Sequence, residues 1–299
     1  LGLGGYFALS SISGSGTGEL LDAVVSALTE SMPEEVPSLT RIAIVGRPNV
    51  GKSSLINSLL GEERNIVTPQ AGTTRDSIFT RFNKYKHDFL LVDTAGLRKK
   101  GKVSENVEFY SVMRAVRTIE NSDICLLIID GTRGVEAQDL NIISLILKNS
   151  KGMILLVNKW DLVEKDNNTA KAVEKEIKNK TAPFVDYPVL FISATNKQRI
   201  HRILELIETV NQNRIRKIST SELNEVMLEI VKQNPPPSLK GKYVKIKYVT
   251  QLPTHTPSFA FFCNLPQYVK EPYRRYIENR LREKYEFTGV PLRVFFRKK

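Results

Sequence analysis

Cysteine is nearly absent from this 299-residue sequence: only Cys125 and Cys263 occur, both within otherwise apolar runs. That scarcity argues against a disulfide-stapled scaffold or a cysteine metal site and predicts two buried thiols in a reducing compartment. No apolar stretch approaches the roughly 18 residues needed to span a bilayer, so no membrane span is expected. No basic segment leading into an apolar one is found near residue 1, and no secretion signal is expected. Acidic residues are also short, with 32 Asp and Glu against 44 Lys and Arg, for a net charge of +12. The shortage is local. From residue 214 to 299, 18 Lys and Arg face 7 Asp and Glu, while the preceding residues are almost neutral. A neutral body with a basic tail fits a polyanionic partner, because neutralised phosphates release counterions.

The length calls for more than one core. Residues 1–32 read as an apolar strand, a Gly/Ser loop and an amphipathic helix, and they parallel "YPVLFISATNKQRIHRILELIETV" at 187–210. They are expected to be the last strand and helix of an earlier, homologous domain. Residues 33–40 form a Pro-rich linker. From 41 to 213, apolar runs ("RIAIVG", "HDFLLVDT", "DICLLIID", "GMILLVNK", "YPVLFIS") alternate with helical patterns, which predicts an α/β domain with a mostly parallel sheet covered on both faces. "SIFTRFNKYK" alternates instead and predicts an edge strand antiparallel to 87–93. Residues 214–299 change pattern: "TSELNEVMLEIVKQNPPP" reads as a helix, two strands follow, then a long helix over "YVKEPYRRYIENRLREKYEF" and a last strand, together a small α+β domain. Tyr273, Ile277 and Leu281 fall on one stripe of that helix and are expected in its core.

Between the first strand and helix of the α/β domain stands "GRPNVGKSS" (46–54). Gly46 and Gly51 permit a tight loop whose N–H groups, through Asn49, Val50, Gly51, Lys52, Ser53 and Ser54, surround phosphates. Lys52 can reach the β and γ phosphates, and the Ser53 hydroxyl can ligate Mg²⁺. "DTAG" (93–96) ends a buried strand; Asp93 can hold a magnesium-bound water and Gly96 can offer its N–H to the γ phosphate. "AGTTRD" (71–76) lies between them, and Thr74 is expected to complete the Mg²⁺ shell when its loop closes. "NKWD" (158–161) selects the base: Asp161 can accept guanine N1–H and the 2-amino group, which adenine does not offer there. Asn158 braces the loop and the Lys159 stem covers the base. "SAT" (193–195) brings Ser193 and Ala194, whose N–H can meet guanine O6.

Together these motifs resemble the Era-like branch of the TRAFAC GTPases. The segment before them and the basic α+β domain after them resemble, within it, a bacterial family with two tandem G domains and a C-terminal KH-like domain. The resemblance covers essentially the whole chain and implies a cytoplasmic GTPase that acts in assembly of the large ribosomal subunit, binds its rRNA, and uses Mg²⁺ and K⁺. By the same resemblance Asn49 binds K⁺, and the first G domain packs on the KH-like domain in the intact protein. Two departures follow. The first G domain's nucleotide motifs are absent, so one nucleotide site is expected. Residues 214–299 contain only Gly241 and Gly289, so no GxxG loop is present to clamp four nucleotides. After the DTAG turn stands Leu97, where many such switches carry a water-orienting glutamine. Catalysis is therefore assigned to the P-loop N–H groups, Lys52, Mg²⁺ and K⁺, with Glu108 aligning the water at one remove. Two other readings stay open: an Era-type factor for the small subunit, and a GTP/GDP-sensing RNA scaffold with little hydrolysis.

Overall fold

The computed structural model describes residues 7–10, 17–27, 39–60, 79–93, 107–164, 166–238 and 241–298. The chain divides into residues 1–39 and a compact unit of residues 40–299. In the first unit the expected helix is present as α1 (Thr17–Ala27). Residues 7–10 are irregular, and the rest of the expected strand lies outside the described residues.

The larger unit opens with a six-stranded sheet. Its elements are β1 (Arg41–Val45), α2 (Lys52–Leu60), β2 (Phe79–Lys84), β3 (His87–Val92), α3 (Val107–Glu120), β4 (Ile124–Asp130), α4 (Ala137–Lys148), β5 (Gly152–Asn158), α5 (Thr169–Thr181), β6 (Val189–Phe191) and α6 (Ile200–Ile215). The strand order is β2-β3-β1-β4-β5-β6. All pairs are parallel except β2–β3, whose antiparallel register runs from Phe79↔Val92 to Lys84↔His87, at the edge that the alternating pattern predicted.

Period-two alternation divides the interior into two layers. Ile42, Ile44, Leu126, Ile128, Ile154 and Leu156 face one side and meet Leu55, Ile56 and Leu59 of α2 and Ile203, Leu204 and Ile207 of α6. Ala43, Val45, Leu127, Ile129, Leu155 and Val157 face the other and meet Ile143 and Ile146 of α4 and Ile177 of α5. Each fully buried Ile or Leu contributes about 1.5–3 kcal/mol of transfer free energy, so both faces must be covered for the sheet to persist. β1 connects through α2 to β2 and β3 on one side of it, and β3 connects through α3 to β4 on the other, so the connections diverge beside β1. The crevice at the strands' carboxyl ends there is where open α/β sheets take ligands.

After α6 come α7 (Thr220–Gln233), β7 (Ile246–Leu252), β8 (Ser258–Cys263), α8 (Glu271–Lys284) and β9 (Arg293–Lys298). The Ser219 hydroxyl caps α7 by accepting the Glu222 N–H at 3.2 Å. The sheet order is β7-β8-β9, antiparallel then parallel. Leu223, Met227 and Ile230 of α7 pack with Tyr273, Ile277 and Leu281 of α8 on Phe259 and Phe261, so the predicted stripe is core. The long helix is shorter than its pattern: Pro272 lacks an N–H and fits only a first turn, so α8 begins at Glu271 and Pro266–Tyr268 form a separate 3₁₀ turn. Cys125 and Cys263 are both buried free thiols. Among the described residues no helix is long and apolar enough to cross a membrane.

The small sheet module is stitched to the large one through residues 286–290. Gly289 donates its N–H to the Asp186 carbonyl at 2.8 Å and accepts the Met153 N–H at 2.7 Å, extending the hydrogen bonding of β5. Its φ of +83° and a prospective Cβ only 2.5 Å from Val210 Cγ2 leave room for glycine alone. Val290 enters the core of the large module, and Arg282 donates to Asp186 Oδ2 at 2.7 Å.

Candidate functional site

The loop between β1 and α2 turns through three positive-φ residues, Gly46 (+148°), Asn49 (+64°) and Gly51 (+103°). A Cβ on Gly46 would stand 2.4 Å from the Ile128 carbonyl oxygen, and one on Gly51 2.1 Å from Asn158 Nδ2. The loop is thus pressed onto the ends of β4 and β5, and the glycines are what allow the approach. Val50 is buried, while Asn49 and Ser54 are exposed and Ser53 is half-buried in the first turn of α2. The amino end of α2 directs its first-turn N–H groups and positive dipole at the loop, which suits a phosphate.

Lys52 folds back beneath this loop. Its ammonium donates to the Gly46 carbonyl at 2.8 Å and the Arg47 carbonyl at 2.5 Å, leaving one of its three donors. Burial lowers its pKa to about 8, with the charge of Asp139 opposing that shift. An arriving phosphate would favour the charged form.

Asn158 joins three of the predicted motifs. Its Nδ2 donates to the Val50 carbonyl at 2.8 Å and its Oδ1 accepts the Ala194 N–H at 2.9 Å. The bracing role expected of Asn158 therefore reaches both the phosphate loop and the 193–195 loop. It also engages the Ala194 N–H, which the sequence reading reserved for guanine O6; in this structure that donor is used within the protein. Ser193 is buried, its Oγ accepting the Asn196 N–H at 3.2 Å. Trp160 packs on Phe191 with ring centroids 4.3 Å apart, seating the turn that carries Asp161. No described residue engages the half-buried Asp161 carboxylate, which leaves it available to a ligand. Lys159, at φ +59°, pairs with Asp130 Oδ2 at 2.6 Å. Burial alone would raise the pKa of Asp130, but Lys159 and the two donors of Thr132 hold it below the usual carboxylate range.

Asp93 lies just past the end of β3 at φ +53°, half-buried, and accepts the Thr118 hydroxyl at 3.3 Å. Thr74, Gly96 and Leu97 lie outside the described residues. Glu108 is in the first turn of α3, but its side chain is also outside them. Among the described residues no group of three or more His, Cys, Asp or Glu could hold a metal ion. The oxygen donors of Ser53 and Asp93 nevertheless fit Mg²⁺, which keeps waters and typically takes one or two protein oxygens beside substrate phosphates.

The sequence reading missed Arg47 and its partners. Arg47 is only 6% exposed, and its Nε donates to both carboxylate oxygens of the fully buried Asp139, at 3.0 and 2.9 Å. Its Nη1 pairs with Glu136 Oε2 at 2.5 Å. Burial pulls its pKa down, and Asp139 and Glu136 together more than offset that. Glu136 and Asp139 also form the capping box of α4, so one helix start anchors the phosphate loop. The signal was present in "GVEAQDL" (134–140), an E-x-x-D pair ahead of an apolar run.

Comparison with known proteins fits this geometry. Residues 41–159 match the model of the 50S ribosome-binding GTPase family, and residues 217–297 match the KH-domain-like C-terminal family of EngA bacterial GTPase enzymes. The chain is 57% identical over 305 residues to GTPase Der of Bacteroides fragilis, and 57% identical over 299 residues to GTPase Der of Christiangramia forsetii. Each alignment covers 100% of this chain and 69% of the relative. Among solved structures, an Aquifex aeolicus Era variant bound to GDP·AlF₄⁻ is 23% identical with a TM-score of 0.45, covering 87% of this chain and 92% of that one. Identity of this extent along the whole chain, together with both domain families, shows that the chain belongs to the Der family of GTPases.

Proposed function

We propose that this GTPase works in assembly of the bacterial large ribosomal subunit, engaging its rRNA through the basic C-terminal module. GTP lies with its phosphates in the 46–53 loop and its base over the 158–161 turn. Asn158 carries the nucleotide-site part of this reading, since one side chain ties the phosphate loop to both base-side loops. Lys52 spreads charge over the β and γ phosphates, and the N–H groups from Asn49 to Ser54 hold them in place. Asp161 selects guanine, and the Ala194 N–H turns to O6 or shares its bond with Asn158. Magnesium, when bound, supplies positive charge to the phosphate oxygens. Ser53 and, through a bound water, Asp93 would hold it, with Thr74 as a further ligand; Gly96 would offer its N–H to the γ phosphate, Asn49 would hold K⁺, and Glu108 would align the water.

Multiple-turnover phosphate release with and without K⁺ tests the chemistry. Lys52→Ala abolishes release, Asn49→Ala loses the K⁺ response, and Leu97→Ala retains turnover. Release that survives Lys52→Ala would overturn the site. The partner is tested by co-sedimentation with ribosomal precursors, where exclusive association with the small subunit would favour an Era-type role instead.

A further inference from the structure

At the end of the large module away from the nucleotide loop, a cavity of about 260 Å³ opens along the seam with the small module. Its walls come from both: Asp123, Ser150, Lys151 and Arg214 on one side, His255 and Arg293 on the other. Three basic side chains, Lys151, Arg214 and Arg293, thus face a single carboxylate. That carboxylate is already committed, because Asp123 accepts the Arg41 N–H at 2.9 Å and Arg214 Nη1 at 3.1 Å.

The remaining cations keep donors to spare. Lys151 donates to the Glu120 and Ser122 carbonyls at 2.8 and 2.7 Å, which leaves one N–H. Arg293 uses Nε alone, donating to Ser150 Oγ at 2.7 Å, and both of its terminal nitrogens have no partner among the described residues. His255 is exposed and has none there either. A residue needed only to brace Ser150 could be shorter and neutral, whereas the guanidinium fork suits a planar pair of oxyanion oxygens. Burial lowers the pKa of Lys151, with the charge of Asp123 opposing that shift.

We infer that this seam cavity is a phosphate-binding pocket, built by Arg293, Lys151 and His255, with Arg214 behind them. The ligand is a phosphoryl oxyanion, whether a phosphodiester of RNA or a free phosphate. The pocket is separate from the nucleotide site, and its existence does not depend on the ribosomal reading.

The test uses the intact chain loaded with GDP and Mg²⁺, so that the 46–53 loop is filled. There are three histidines, His87, His201 and His255, and their ring proton signals are separable by NMR once His255→Gln assigns one. Titrating inorganic phosphate shifts the His255 signal saturably and leaves the other two in place; Arg293→Gln weakens that response at least tenfold. A single-stranded RNA 12-mer distinguishes the source. If RNA is the ligand it shifts His255 at lower concentration than phosphate does, and Arg293→Gln reduces the log–log salt slope of binding by about 0.7, one contact. If RNA leaves His255 unmoved, the pocket serves free phosphate. Should Arg293→Gln not fold, His255→Glu at its exposed turn replaces it: phosphate raises the Tm of the parent chain and not of this variant. Equal shifts at all three histidines, or a phosphate response that survives both Arg293→Gln and His255→Glu, overturn the proposal.

Discussion

Replacing Asp139 by asparagine keeps the volume at the start of α4 and removes the charge that pairs with Arg47. Removing one partner of a buried ion pair costs about 3–5 kcal/mol, because the other charge is left without compensation. Here Glu136 still reaches Arg47 and is itself 36% exposed, so the cost falls at the lower end, about 3 kcal/mol. The effect extends beyond stability. Arg47 belongs to the phosphate loop, and its carbonyl is one of the two that hold Lys52. Releasing the side chain lets that carbonyl drift, and GDP affinity is expected to drop roughly tenfold, or about 1.4 kcal/mol. Urea unfolding of the nucleotide-free chain, followed by the lone tryptophan, Trp160, reports the first quantity, and calorimetric titration with GDP the second. The double variant Arg47→Met with Asp139→Leu separates the two effects. An apolar pair of similar volume often restores the stability lost with an ion pair, but it does not restore the hold on the loop. Asp139→Asn losing less than about 1 kcal/mol or binding GDP like the parent chain would refute the reasoning, as would a double variant that recovers both.

Gly51→Ala drives its Cβ into Asn158 Nδ2 and imposes a side chain at φ +103°, so GDP binding measured by calorimetry should be lost while the chain stays folded by circular dichroism. Lys52 gives a pH dependence. In the nucleotide-free chain its pKa is about 8, below the unfolded lysine value, so the unfolded state holds more protons above pH 8. Stability of the free protein in urea should therefore rise from about pH 8 towards the ordinary lysine pKa. GDP affinity runs the other way: binding takes up a proton at Lys52, so the dissociation constant grows with pH above 8, and a flat profile in the parent chain would contradict this. Gly289→Ala must push Val210 aside at a φ of +83°, and urea unfolding should split into two transitions as the seam between the modules opens.

Much of the candidate site was legible because its residue pattern is local in sequence. A phosphate loop needs glycines, a lysine and a hydroxyl within nine residues, between a strand and a helix, and "GRPNVGKSS" shows all of them in one window. The same holds for the sheet: β4 and β5 are buried at every position, so "ICLLIID" and "GMILLVN" read as central strands without any partner in view. The edge position of β2 was legible for the complementary reason, that its two faces differ. What stayed hidden depends on pairs far apart in the chain. Arg47 looks like one more solvated arginine until the fold brings Asp139, 92 residues away, against it. Gly289 reads as an ordinary turn until β5 and α6 come within reach of it. The cations of the seam pocket sit at positions 151, 214 and 293, each amid neighbours of mixed character, and no window holds two of them. The net charge of residues 214–299 pointed to an anionic partner, but Lys151 lies outside that segment, so charge counting by domain could not place it there. The same long-range contacts that evade pattern reading join the modules into one unit, and the pocket follows from that joining.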